Sequence, residues 1–149
     1  MERVEKFIEV NAPVRTIFSF INEPFNLMRI WPGMIEVTDL SRLNNGGRNY
    51  RCVATLVGAR ILYITECIEF VTNQRIAYKL SGGLSGSIHW LFEAQNEATR
   101  VTLGLEYEIP RPLLKRHAQA AIIGANQHDI EKLLSNLKSV LERQSLVRE

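Results

Sequence analysis

Two carboxylates in this sequence stand among apolar neighbours, where a charge is costly. Alternation along ILYITECIEF (61–70) puts Glu66 in one row with Leu62, Ile64, Ile68 and Phe70. Asp129 interrupts the apolar stripe of the C-terminal segment. A desolvated carboxyl keeps its proton to higher pH unless a cation or several donors compensate. Held that way, it orients a ligand hydroxyl or works as a general acid and base. Tyr50, Tyr78 and Asn126 are the candidate donors around Glu66. If Glu66 and Asp129 share a pocket, one of the two carboxyls would hold a proton.

Glu66 has two orientations open to it. Gly58-Ala59 suits a two-residue type II′ turn, glycine first. That turn would pair Arg51 with Glu66, and a tight turn at Thr72-Asn73 would set Lys79 on the other side. The resulting outward ladder, Arg51–Glu66–Lys79, is worth about 0.2–1 kcal/mol per pair. It also turns Leu62, Ile64, Ile68 and Phe70 to solvent, at roughly 1.5–3 kcal/mol each. A one-residue bulge in either hairpin reverses the faces at smaller cost. The balance predicts Glu66 inside, facing a cavity. An outward row would call for a homodimer interface to cover it.

Other chemistries find little support. Cys52 and Cys67 lie outside any C-x-x-C spacing, and the three histidines are scattered at 89, 117 and 128. No zinc site is expected, and both thiols read as reduced and structural. The 149 residues are 46% hydrophobic and 23% charged with a net charge of +2, too little excess for a nucleic-acid reader. MERVEKFIEV has charges where a signal peptide needs an apolar core, and no stretch is long enough for stable membrane insertion. The expected compartment is the cytoplasm.

The elements that must position these residues follow in a clear order. Val4 to Val10 reads as a strand; Asn11 offers a helix cap and Pro13 a first turn, with Val14, Ile17, Phe18 and Ile21 at helical spacing. A second short helix starts after Glu23 and closes at Pro32-Gly33. Strands are expected over 34–41, 48–57, 60–70, 75–81, 85–94 and 99–109, with turn signals NNGG, GA, TN, SGG and QNEA between them. One long amphipathic helix then runs from Leu113 to about Arg143, in a single domain over 1–149. Consecutive hairpins with one apolar face need that helix as their cover. On 85–94 and 99–109 the inner face is Ile88, Trp90, Phe92, Val101, Leu103, Leu105, Tyr107 and Ile109, which leaves His89 on the solvated face.

VNAPVRTIF, the WPG after the second helix, HWLFEAQNEATRVTLGLEYEIP and NQHDIEKLLSNLKSVLE, in this order and spacing, resemble the START-like SRPBCC superfamily over essentially the whole chain. The similarity is to its polyketide cyclase/dehydrase-like branch. NEATRV departs from the relatives, which often carry glycine before the threonine. The resemblance implies an α+β helix-grip fold: a curved antiparallel sheet of about seven strands around a long C-terminal helix, with two short helices after the first strand. It also implies a deep apolar cavity, but no one reaction, because members include carriers, aromatase/cyclases and co-chaperones.

The cavity wall is therefore read from this chain. A helical stripe joins Ala118, Ile122, Ala125, Asn126, Asp129, Ile130, Leu133, Leu137 and Val140, small at its start and leucine-rich after. Tyr50, Cys52, Ala54 and Leu56, then Ile76, Tyr78 and Leu80, with Trp90 and Tyr107, form the facing wall. The expected ligand-binding set is Tyr50, Cys52, Glu66, Tyr78, Trp90, Tyr107, Ile122, Asn126 and Asp129, with Glu66 and Asp129 the catalytic candidates. The bland alternatives are that the aromatics fill the core and that Asn126 and Asp129 bond to a loop backbone. The leading function is a cofactor-free carrier or sensor of a hydrophobic small molecule, lipid-like or polyketide-like. A cyclase/dehydratase acting in the same cavity is the first alternative. A protein-interaction module entered at RPLLKRH (111–117) is the second.

Overall fold

The computed structural model describes residues 1–148, with side chains to residue 144. Strand β1 (Glu2–Val10) leads into α1 (Val14–Asn22) and α2 (Pro24–Ile30). Six strands follow: β2 (Met34–Arg42), β3 (Arg48–Leu56), β4 (Ala59–Val71), β5 (Arg75–Gly82), β6 (Ser85–Gln95) and β7 (Ala98–Glu108). The short α3 (Arg111–Leu114) precedes the long α4 (Gln119–Arg148). All neighbouring strands are antiparallel, in the order β1-β7-β6-β5-β4-β3-β2. This is the α+β helix-grip arrangement expected from the sequence.

The sheet must be curved. Helix α4 touches both β1 and β3, which stand five strand spacings apart. In a flat sheet that is about 24 Å, twice the ~10–12 Å width of a helix with its side chains. Only a sheet curled around α4 brings both within reach. The enclosed face carries the expected rows: Tyr50 and Cys52 on β3, Ile76, Tyr78 and Leu80 on β5, Trp90 on β6 and Tyr107 on β7 are all buried. His89 is exposed on the outer face, 3.7 Å from the Glu5 carboxylate.

Strand β4 runs against expectation. Val57 and Gly58, both with positive φ, form the β3–β4 turn, so the pairing is Leu56 with Ala59. That is type I′ geometry, not the type II′ turn at Gly58-Ala59, and it sets Arg51 opposite Ile64 instead of Glu66. No bulge interrupts this hairpin. The buried row is therefore Ile61, Tyr63 and Thr65, while Leu62 is 56% and Ile68 63% exposed. Glu66 lies outside with them, opposite Lys79, and Arg51 pairs with Asp39 at 3.3 Å. The expectation of an inward Glu66 is corrected, and so is the Arg51–Glu66 pair.

The expected bulge does exist, but on the far side of Glu66. The β4–β5 connection holds three residues, Thr72 to Gln74, with Asn73 at φ 62°. Its extra residue is absorbed by a register shift between Cys67 and Glu69. The shift turns Phe70 inward beside Ile76, while Glu69 faces out and binds Arg75 at 2.7 Å. Both rows of β4 are apolar. Ile61 and Tyr63 are as worth burying as Leu62 and Ile64.

The helices hold further corrections. Asn11 does not cap α1; Pro13 occupies that place at φ −64°, and the Asn11 N–H donates to Glu142 at 2.9 Å. The single long helix expected from Leu113 is broken between α3 and α4, where residues 115–118 contain neither proline nor glycine. Ala118, in that break, is exposed and leaves the predicted stripe. Among the described side chains of α4, the buried positions are Ile122, Asn126, Ile130, Leu133, Leu134, Leu137 and Leu141.

Candidate functional site

A small cavity lies between the first half of α4 and the β3–β4 end of the sheet. Its wall is mostly apolar, with Ala54, Leu56, Ile61, Leu80, Leu84, Ile88 and Leu105 from the sheet side. Trp31, Thr55, Tyr63, Asn126 and Asp129 are the lining residues that carry polar side-chain atoms. The free space is about 40 Å³. That is room for a few waters, since one needs roughly 10–15 Å³ on this measure.

Local structure explains how the polar groups converge. The end of α2 is tied to α4 by Asn136, whose Nδ2 donates to the Ile30 carbonyl at 2.9 Å. Trp31 follows directly, and its carbonyl accepts from the Met34 N–H at 3.1 Å. The Thr55 N–H donates to the Gly33 carbonyl at 2.7 Å, which fixes this connection against β3. Glycine is required there: a Cβ on Gly33 would meet the Thr55 carbonyl oxygen at 2.9 Å. It would lie 3.7 Å from both Asp129 Oδ2 and Trp31 Nε1. The indole N–H and the carboxylate thus flank one backbone corner.

Asn126 is the anomaly of the site. The residue is 9% exposed, and its Oδ1 has no hydrogen-bond partner among the described residues. Buried polar atoms are nearly always paired, and an orphan costs about 1–3 kcal/mol. Asp129, one helical turn on and half-buried, has its carboxyl pushed above the ordinary value by burial; the neighbouring His128 opposes the shift. The folded protein therefore holds this proton to higher pH than the unfolded chain does. Stability should fall as pH rises from the ordinary carboxylate value through the raised one, because the unfolded state gives up the proton first. Asp129→Asn is expected to flatten that part of a denaturation-versus-pH curve; an unchanged slope would count against the buried carboxyl.

The other expected residues fall into two groups. Tyr50, Cys52, Tyr78, Trp90, Tyr107 and Ile122 are all on the enclosed face, but they pack in the core and do not line the cavity. Burial pushes the Tyr50 and Tyr78 hydroxyls up, and the Cys52 thiol up to about 11. All three stay protonated at neutral pH, and Cys52 is no nucleophile. Tyr50 and Tyr78 meet edge to face at 6.4 Å. Glu66 is outside altogether. Of the expected set, only Asn126 and Asp129 are brought together at the cavity.

Trp31 and Tyr63 were missed. Tyr63 belongs to the β4 row that burial arithmetic turned outward. Trp31 stands in the WPG connection, where no periodicity assigns a face; its one signal was an indole beside a glycine that must stay bare.

Comparison with known proteins agrees with this fold. The TTHA0849 protein of Thermus thermophilus superposes with a TM-score of 0.76 at 22% identity, over 97% of this chain and 99% of that one. A START superfamily protein from Mycobacterium smegmatis gives 0.75 at 20% identity, over 95% and 98%. The Zhui aromatase/cyclase from Streptomyces sp. R1128 gives 0.79 at 14%, over 97% and 95%. At these identities the likeness is one of fold. No curated protein matches the sequence. Residues 1–142 match the model of a family described as polyketide cyclase/dehydrase and lipid transport. With almost its full length inside that match, the chain belongs to the polyketide cyclase/dehydrase and lipid transport family.

Proposed function

We propose that the protein binds a mainly apolar small molecule between the sheet and α4, as a carrier or sensor, and that the ligand donates a hydrogen bond to Asn126. The unpartnered Asn126 oxygen at an apolar wall carries this reading. With no ligand to serve, leucine in that position would make a more stable core. Family membership supports an apolar ligand in general terms.

The ligand must open its own site. Free space of about 40 Å³ is far below the roughly 300–1,000 Å³ of small-molecule pockets. In this reading the start of α4, which the break at 115–118 separates from α3, swings outward while the buried Leu133, Leu134, Leu137 and Leu141 keep the second half packed. Ala120, Ala121 and Gly124 in the moving half are already exposed, so the packing given up is mainly that of Ile122, which is fully buried.

A second reading, cofactor-free cyclase/dehydratase chemistry, is favoured by the raised Asp129 carboxyl on the same wall. Glu66 takes no part in it from the outer face.

The test is native mass spectrometry of the protein purified from its own host, with organic extraction of the adduct. A stoichiometric apolar adduct is expected, unaffected by Glu66→Gln and reduced by Asn126→Leu. A clean apo mass, with no binding of offered apolar hydroxyl compounds, would sink the proposal. Turnover lost in Asp129→Asn with the adduct retained would move the protein to the enzyme reading.

A further inference from the structure

An open groove lies on the outside of the same end of the molecule, with about 540 Å³ of accessible space. Unlike the inner cavity, it is of ligand size. Its floor is Ala59, Ile61 and Leu113, the last two nearly fully buried. Leu62, Pro110 and Pro112 extend the apolar surface, and Leu62 is 56% exposed. The two charged residues of the lining, Arg60 and Arg111, have the same sign. Arg60 sits at the start of β4 and Arg111 at the start of α3. Neither pairs with a carboxylate among the described residues, and no acid lines the groove.

Two other surface hollows differ. One, beside Arg15 to Phe20 with Asn26, Leu141 and Gln144, is lined mainly by polar groups, and another, beside Asn11 to Pro13 and Gln95 to Ala98, mixes polar and apolar surface and has the Glu97 carboxylate as its one charge. The groove at Arg60 and Arg111 combines an apolar floor with uncompensated positive charge. Guanidinium is always charged and matches a carboxylate with two parallel hydrogen bonds.

We propose that this groove is a second binding site, for an amphipathic carboxylate whose head is held by Arg60 and Arg111 and whose hydrocarbon chain lies over Ile61, Leu62, Pro112 and Leu113. The site does not depend on the reading of the inner cavity. Ile61 lines both spaces, so a chain seated in the groove rests on the wall of the cavity.

Amide NMR of the full chain, titrated with octanoate and, separately, with octanol, tests it. Octanoate is expected to shift the amides of Ala59 to Leu62, Gly83, Arg111 and Leu113, and to bind at least tenfold tighter than octanol. The double variant Arg60→Gln/Arg111→Gln, both on exposed side chains, should weaken octanoate about tenfold and leave octanol unchanged. Leu62→Ser should weaken both. Asn126→Leu should leave the octanoate shifts in place, which separates this site from the cavity. Equal affinity for acid and alcohol, or octanoate shifts confined to Trp31 and Asn126, would overturn the proposal. So would cosedimentation with phosphatidylglycerol vesicles, lost in the double variant, without any response to free octanoate. That result would make the groove a membrane contact instead.

Discussion

Asn126→Leu is expected to raise stability and weaken ligand binding in the same protein. The buried oxygen has no partner among the described residues in the free state, so removing it relieves a penalty of about 1–3 kcal/mol. For a chain of this length each kcal/mol moves the melting temperature by about 2–4 °C. Leucine branches at the same carbon as asparagine, and the free space beside it takes up the added volume without overpacking. The bound state loses instead: a ligand donor buried against leucine is left unpaired, and affinity should fall on the order of 10–100-fold. The opposed signs are the point. Melting curves with and without the extracted ligand would show a variant more stable alone and less stabilised by ligand. A variant less stable in the free state would mean that Asn126 has a structural partner, and the functional reading would lose its main support.

Phe18→Ala is expected to have the largest effect on folding, a loss of about 3–5 kcal/mol. Against a total stability of about 5–15 kcal/mol, that is roughly a fifth or more of what holds the domain together. Phe18 is 4% exposed and sits on α1 with its ring edge-on to both Phe70 and Phe92, each at 5.2 Å. Phe92 in turn stacks on Trp90 at 6.4 Å. The cluster joins α1 to two strands of the sheet, and Phe70 enters it only because of the bulge at Cys67–Glu69. Removing Phe18 therefore leaves a cavity and takes away the reason for Phe70 to point inward. Urea unfolding would measure the loss; amide shifts along 67–71 would report whether the bulge survives. A loss under about 1 kcal/mol with the bulge intact would show that the three-residue turn alone sets the register.

The readable parts of the sequence were those with a long period and one dominant face. Strands β5 to β7 alternate without conflict, and each expected inner residue is buried. The second half of α4, with Leu133, Leu134, Leu137 and Leu141, has only one side that can be covered. Strand β4 was different because both of its rows are apolar. Alternation then carries no preference, and the face is set by turn length on each side: two residues at Val57-Gly58, three at Thr72 to Gln74. Neither length follows from residue type alone, since Gly58 and Asn73 each suit more than one turn.

The site divides along the same line. Residue type and helical spacing by themselves determined that Asn126 and Asp129 would interrupt the covered stripe of a C-terminal helix against an antiparallel sheet, because the helical period is local and the hydrophobic stripe leaves it one orientation. Tertiary structure alone decided that Glu66 is outside, that Trp31 and Tyr63 are at the wall and that Tyr50 and Tyr78 are sealed in the core. Those placements depend on turn register and on how the chain between α2 and β2 is tied to α4 and β3, contacts between residues far apart in sequence. The small volume of the cavity is also a tertiary fact. It depends on how closely α4 settles on the curled sheet, and no local pattern encodes that distance.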